Sequence, residues 1–164
     1  KMTNVMGAVA TSSAMNTVVL GSDQTNNNAI ANTMQNVTGL SFAVSAGSTY
    51  FFRFIIAYTA AATTTGSRFG INGPGSPTLL AYNSRFSLLN TSSVDSDSSA
   101  TVNAYDNPTA ANATSATLSG NIAVIEGIIT PSANGTVIAR FASEVSSSAI
   151  VAKAGSVVYY QQVI

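Results

Sequence analysis

The residues that could carry chemistry in this chain are few. It contains no His and no Cys, so a Ser-His-Asp or Cys-His nucleophile system cannot be assembled from it. The two lysines, Lys1 and Lys153, do not lie in a Ser-x-x-Lys spacing. Of the six carboxylates, Glu126 and Glu144 fall within apolar stretches that look like strands, which leaves no obvious acid pair for glycoside hydrolysis. We therefore expect a protein that is not an enzyme.

One acidic segment, Asp95–Asp106, spaces its oxygen-bearing side chains in a way that resembles a calcium-binding loop. The match fails at two positions, because Ala100 stands where that loop needs Gly and Asp106 stands where it needs a bidentate Glu. A solvated Ser/Asp loop is the better interpretation, and the sequence predicts neither a metal ion nor a cofactor.

The charge pattern excludes two classes of partner. Six basic and six acidic residues give a formal net charge of zero, and only 7% of residues are charged. Without a basic run or patch, binding to nucleic acid or to an anionic membrane is not expected. The absence of Cys also excludes a disulfide framework, so stability must come from packing or self-association.

The elements that must position these few charged residues are short strands. Polarity comes mainly from Ser, Thr and Asn, which favour strands and turns over helices. From residue 16 onwards, short apolar runs are separated by Gly, Asn, Ser and Pro clusters about every ten residues. This pattern predicts an all-β fold, a jelly-roll-like antiparallel β-sandwich of about ten strands over residues 15–164, preceded by an N-terminal arm over residues 1–14.

Two of the predicted strands, residues 121–130 and 136–145, are joined by the five-residue connection Pro131–Gly135. Its Pro and its Asn-Gly pair are typical of a hairpin turn. In that hairpin Glu126 would lie opposite Arg140, close enough for an ion pair. We predict a structural pair there, with a ligand clamp or general acid as the less favoured alternative.

The stretch "YFFRFIIAY" (Tyr50–Tyr58) is too short to span a membrane as a helix, which needs about 20 apolar residues. As a strand it would turn Tyr50 and its alternate residues to the core, and Phe51, Arg53, Ile55 and Ala57 to the other face. That second face is too apolar to be freely solvated, so a partner or another part of the chain should cover it. Arg53 would then need a carboxylate or carbonyl partner, for which Glu144 or an acid of a symmetry-related copy is our candidate.

Two longer motifs carry a resemblance to a known group of proteins. They are "LSFAVSAGSTYFF" (Leu40–Phe52), followed by "AATTTGSRFGINGP" (Ala61–Pro74), and "RFASEVSSSAIVAKAG" (Arg140–Gly155). Together they resemble a structural module of tailed-bacteriophage virion proteins. The resemblance spans roughly residues 16–163 and implies no catalytic residue.

What the resemblance implies is a location on the virion exterior and assembly as a homotrimer. One placement is a capsid decoration or head-fibre protein that binds the major capsid protein or other virion proteins; the other is a tail-fibre or tail-spike domain that binds a host-surface glycan. The short arm favours the capsid placement, because a tail fibre normally has a long repetitive shaft. In either case the interface candidates are Arg53, Glu126, Arg140 and Glu144.

Overall fold

The computed structural model describes residues 13–87, 97–107 and 120–163 of the chain. Within them the chain forms eleven strands: β1 (Asn16–Val19), β2 (Gln24–Asn26), β3 (Gln35–Val44), β4 (Tyr50–Ala60), β5 (Ser67–Asn72), β6 (Leu79–Ser87), β7 (Asp97–Val102), β8 (Asn121–Thr130), β9 (Gly135–Ser143), β10 (Ile150–Ala152) and β11 (Val157–Gln162). The predicted arm lies outside these residues except for its last two, Ser13 and Ala14.

The strands form two antiparallel sheets, which confirms the predicted all-β sandwich. The larger sheet has the order β1-β11-β4-β8-β6-β7, with β10 pairing to β4 and β2 pairing to β10; the smaller sheet has the order β3-β9-β5. Early strands pair with late ones: β1 with β11, β3 with β9 and β4 with β8. The chain is thus folded back on itself about its middle, which is the winding of a jelly roll.

One strand pair expected in a jelly roll is not formed. The next pair inwards would be β5 with β7, but β7 pairs with β6 in the larger sheet. The free edge of β5 is covered instead by single hydrogen bonds: the Ser84 hydroxyl donates to the Phe69 carbonyl at 2.8 Å, and the Asp106 amide donates to the Ile71 carbonyl at 2.9 Å. These bonds satisfy carbonyls that an edge strand would otherwise expose.

The core lies between the sheets and is dominated by aromatic residues. Along β4, residues at every second position are 0–5% exposed, as the alternation predicted: Tyr50, Phe52, Phe54, Ile56 and Tyr58. Phe42 from the smaller sheet stacks on Tyr160 of the larger sheet, with ring centroids 4.6 Å apart. Each fully buried side chain of this size stabilises the fold by roughly 1.5–3 kcal/mol relative to exposure.

The predicted hairpin between residues 121–130 and 136–145 is wrong. Strand β8 pairs with β4 and β6, whereas β9 pairs with β3 and β5 in the other sheet. The connection Pro131–Gly135 therefore crosses from one sheet to the other. Its turn residues bond to the β3–β4 loop: the Ala46 amide donates to Asn134 Oδ1 at 2.8 Å, and the Gly47 amide donates to the Pro131 carbonyl at 2.9 Å.

A close approach fixes the spacing between β6 and β8. Gly127 of β8 lies opposite Tyr82, and a Cβ atom at Gly127 would lie 2.2 Å from the Ala81 carbonyl oxygen and 2.5 Å from Tyr82 Cβ. Only glycine fits there without a shift of the neighbouring strand.

Candidate functional site

The surface most suited to binding is the outer face of the larger sheet. We call "the outer face" the side of β1, β11, β4, β8 and β6 that points away from the core. Its members follow from the ladder register and the alternation of side chains. They are Thr17, Val19, Phe51, Arg53, Ile55, Ala57, Leu79, Ala81, Asn83, Arg85, Ile122, Val124, Glu126, Ile128, Val157, Tyr159 and Gln161.

The outer face is largely apolar although it is exposed. Val19 is 57% exposed, Ile122 49% and Ile128 43%, and Leu79 and Tyr159 are also exposed. The prediction that Phe51, Arg53, Ile55 and Ala57 share the face opposite the core is confirmed by the burial pattern of β4. In a protein with so few charged residues, a contiguous exposed apolar face of this kind marks an interaction surface.

Three charged residues lie in the middle of the outer face. Arg53 on β4 is directly opposite Glu126 on β8, with Arg53 Nε 3.4 Å from Glu126 Oε2. From β6, Arg85 Nη2 lies 3.4 Å from the other carboxylate oxygen, Oε1. One carboxylate is therefore shared by two guanidinium groups, which leaves the group with a net positive charge. We refer to these three residues as the charge triad.

The charge triad is held loosely and remains accessible. The three side chains are 33–44% exposed, and each pair contributes roughly 0–1 kcal/mol at such exposure. The charge triad places uncompensated positive charge in apolar surroundings. Both expected pairings fail: the partner of Arg53 is Glu126 rather than Glu144, and the partners of Glu126 are Arg53 and Arg85 rather than Arg140.

Glu144 lies elsewhere, just after the end of β9. Its Oε1 accepts a hydrogen bond from Arg68 Nε of β5 at 2.9 Å, and its amide donates to the Gly66 carbonyl at 2.9 Å. The Glu144 side chain is only 7% exposed. The pair joins β5 to the segment after β9, so it acts within the smaller sheet and is separate from the outer face.

Arg140 is the centre of a second, structural network on the smaller sheet. Its Nε donates to Asp106 Oδ1 at 2.8 Å, its Nη1 to Asn36 Oδ1 at 2.6 Å and its Nη2 to the Met34 carbonyl at 3.1 Å. The Asp106 carboxylate also accepts from the Asn72 side-chain amide. Arg140 therefore joins β9, β3 and the loop after β7, and its donors face acceptors of the same chain.

These contacts also bear on the acidic segment 95–106. Asp97–Val102 form β7, and Asp106 is committed to Arg140 and Asn72. Asp95 and Ser96 lie outside the described residues. Over residues 13–87, 97–107 and 120–163 no group of three or more His, Cys, Asp or Glu side chains is placed to hold a metal ion.

Titration is perturbed at a few groups away from the outer face. A hydrogen bond from Lys153, with a further one from the Ala154 amide, lowers the pKa of Asp23. Burial raises the pKa of the Tyr82 phenol, whose hydroxyl donates to the Ala104 carbonyl at 3.2 Å. In the described part of the chain no helix is long and apolar enough to cross a membrane.

Sequence reasoning found Arg53 and the apolar character of its face, but it missed Arg85 and did not place Tyr159 beside Arg53. Tyr159 is directly opposite Arg53 in the ladder between β11 and β4. Both residues were visible in the sequence as members of alternating strands. Their place beside Arg53 depends on strand pairings between distant parts of the chain, for which the sequence has no local signal.

Comparisons with known proteins give weak likenesses only. No family model matches the chain, and no curated protein matches it. Among solved structures, the VP2 subviral particle of infectious bursal disease virus is 10% identical with a TM-score of 0.25, over 92% of this chain and 41% of that one. The T13 viral particle of the same virus is 12% identical with a TM-score of 0.26, over 90% of this chain and 37% of that one. The chain spans about two-fifths of the length of these capsid proteins, and likenesses of this size carry no functional conclusion.

Proposed function

We propose that the chain is a non-enzymatic structural protein of a bacteriophage virion, located on the capsid exterior as a decoration or head-fibre protein that binds and stabilises the shell. The observation that carries the proposal is the outer face, an apolar surface with the charge triad at its centre. The sequence resemblance to virion modules supports the same role. His and Cys, which Ser-His-Asp and Cys-His nucleophile systems require, are absent from the sequence.

The size of the outer face favours binding by several copies together. Five strands about 4.8 Å apart, with about three rows of side chains, give a face of roughly 500 Å². A standard interface buries about 800 Å² on each partner, so this face alone would bind weakly. In a homotrimer, contacts around the charge triad would cover part of each face, and the parts left exposed on the three protomers would bind the shell together and so raise the overall affinity.

Binding to the shell is tested by adding the purified full chain back to capsids of its own phage that lack it, and measuring the amount that sediments with the particles. Ile128→Glu puts a carboxylate on the outer face and should abolish co-sedimentation. Thr136→Glu puts the same charge on an exposed strand position of the smaller sheet and should leave it unchanged. Equal binding by the two variants would refute the outer face as the contact.

The homotrimer is tested by sedimentation velocity of the full chain. Arg53→Glu reverses the charge beside Glu126 and should disrupt assembly more than folding of the protomer, because the native pair is partly exposed and contributes little to stability. Circular dichroism checks that the variant remains folded. Intact oligomers of the Arg53→Glu variant, or a monomeric wild-type chain at micromolar concentration, would overturn this part of the proposal.

A tail-fibre domain that binds a host-surface glycan is the second candidate, and one observation favours it. Tyr159, Arg53 and Glu126 lie side by side across three strands, so an exposed ring adjoins a guanidinium and a carboxylate. An aromatic surface with a few oriented polar groups is typical of small-ligand sites. Binding of the wild-type chain to a glycan array, lost in Tyr159→Ala, and density at the tail tip of the virion would support this candidate over the first.

A further inference from the structure

The connection between β8 and β9 contains a reactive dipeptide. The sequence has two Asn-Gly pairs, Asn72–Gly73 and Asn134–Gly135. Asn-Gly is the pair most prone to spontaneous deamidation, because glycine does not hinder attack of its own amide nitrogen on the asparagine side chain. We propose that Asn134 is a site of spontaneous deamidation and isomerisation in the folded protein, whereas Asn72 is protected by the fold.

The surroundings of Asn134 favour the reaction. It is exposed and lies in a turn, just before the first residue of β9. Its Oδ1 accepts the hydrogen bond from the Ala46 amide at 2.8 Å. A donor on that oxygen polarises the side-chain carbonyl and makes Cγ a better electrophile, as donors at a developing oxyanion do in acyl transfer.

The reaction needs only water. The Gly135 nitrogen attacks Asn134 Cγ, the bond from Cγ to Nδ2 breaks, and ammonia leaves with the proton given up by the glycine amide. The product is a five-membered succinimide ring. Addition of water to the side-chain carbonyl carbon reopens it to aspartate, and addition to the main-chain carbonyl carbon gives isoaspartate, in which the backbone runs through the side chain.

Asn72 has the same dipeptide in surroundings that oppose ring closure. It is the last residue of β5, where the ladder with β9 holds its backbone extended, and it is half-buried. Its side-chain amide donates to the Asp106 carboxylate, which keeps the leaving nitrogen engaged. The space beside Gly73 is also filled, since a Cβ there would lie 2.6 Å from the Tyr105 hydroxyl.

Packing explains why the labile pair at 134–135 is present. A Cβ on Gly135 would lie 2.7 Å from Pro74 Cβ, so a larger residue would displace the β5–β6 loop. Asn134 supplies the acceptor for Ala46 and so fastens the β3–β4 loop. Conversion to aspartate would keep that acceptor and add one negative charge to a neutral chain, while isoaspartate would lengthen the backbone of the crossover by one methylene.

The test is peptide mapping of the folded full chain after incubation in mildly alkaline buffer made with ¹⁸O-water. Cleavage after Glu126 and Arg140 releases "GIITPSANGTVIAR", in which Asn134 is the only asparagine. We expect this peptide to take up one ¹⁸O atom, gain isoaspartate detectable with an isoaspartyl methyltransferase, and convert several-fold faster than Asn72. Asn72 is followed in the peptide "FGINGPGSPTLLAYNSR", with tandem mass spectrometry to separate it from Asn83.

Two controls make the result decisive. In urea the two Asn-Gly pairs lose their different surroundings, so their rates should become similar. Asn134→Gln keeps an amide acceptor but would need a larger ring, and it should remove the signal. The proposal is overturned if Asn134 stays unmodified in the folded chain while it converts in urea, or if Asn72 converts as fast as Asn134 in the folded chain.

Discussion

Replacing Arg140 with methionine should destabilise the protein much more than the same change at Arg53. Methionine keeps much of the stem of the side chain but loses the donors to Asp106, Asn36 and the Met34 carbonyl. A hydrogen bond to a charged group contributes about 1.5–3 kcal/mol and a neutral one about 1 kcal/mol. Allowing for the partial exposure of this network, we expect a loss of about 2–3 kcal/mol, compared with at most about 1 kcal/mol for Arg53→Met.

The assay is urea denaturation followed by circular dichroism. With a slope of about 2 kcal/mol per molar urea, Arg140→Met should lower the midpoint by about 1 M, and Arg53→Met by less than half of that. Arg140→Lys should recover only part of the loss, because a single ammonium group cannot reproduce the fork of a guanidinium. Equal midpoints for Arg140→Met and Arg53→Met would refute the assignment of Arg140 as the centre of the network.

A double-mutant cycle then identifies the partner of Arg140. Asp106→Asn is the suitable second substitution because residue 106 has a φ of 48°, which asparagine tolerates. Coupling of Arg140 with Asp106 should reach about 1 kcal/mol, and coupling with Glu126 should be near zero because the two residues lie in different sheets. If Arg140 coupled to Glu126 as strongly as to Asp106, the result would favour the hairpin between residues 121–130 and 136–145 over the strand pairings of the structure.

Two further predictions concern the larger sheet. Gly127→Ala should destabilise the protein by about 1–3 kcal/mol or more, because the added methyl group forces β6 away from β8. The control is Gly21→Ala, which should have little effect because nothing lies within 4 Å of its Cβ position. Equal urea midpoints for the two variants would contradict the close approach of β6 and β8. Because burial raises the pKa of Tyr82, the contribution of this phenol to stability should be complete below its ordinary pKa of about 10 and should fall as the pH rises above that value. Melting temperatures measured on both sides of that pH should therefore fall less in Tyr82→Phe than in the wild type. An equal fall in the two proteins would count against Tyr82 as the group that titrates.

The strands themselves could be predicted closely from the sequence. The stretch Tyr50–Tyr58 lies within β4 (Tyr50–Ala60), and the stretch 121–130 is β8 with the same bounds. Both have a strong alternation or a continuous apolar run bounded by turn residues, which is local information. β2 (Gln24–Asn26) was missed because it is short and polar, and it is a strand only because β10 pairs with it.

Strand partners could not be predicted in the same way. The Pro and Asn-Gly residues of the 131–135 connection serve a crossover between sheets as well as they would serve a hairpin, so they did not determine the register. Because of this error, Arg140 was predicted as the ionic partner of Glu126, whereas the structure pairs Glu126 with Arg53. The face that holds Arg53 was correctly predicted because it depends only on alternation within β4, whereas its ionic partner depends on a strand about seventy residues away.

The folding of the chain back on itself has a consequence for its synthesis. β1 pairs with β11 through contacts such as Asn16 with Tyr160, and β4 pairs with β8 and β11, so the early strands have no ladder partner until most of the chain has left the ribosome. Pairing between distant strands is slow because loop closure must precede it. The aromatic residues of β4 are exposed during that interval, so the yield of native protein should depend on how well the nascent chain is protected from aggregation.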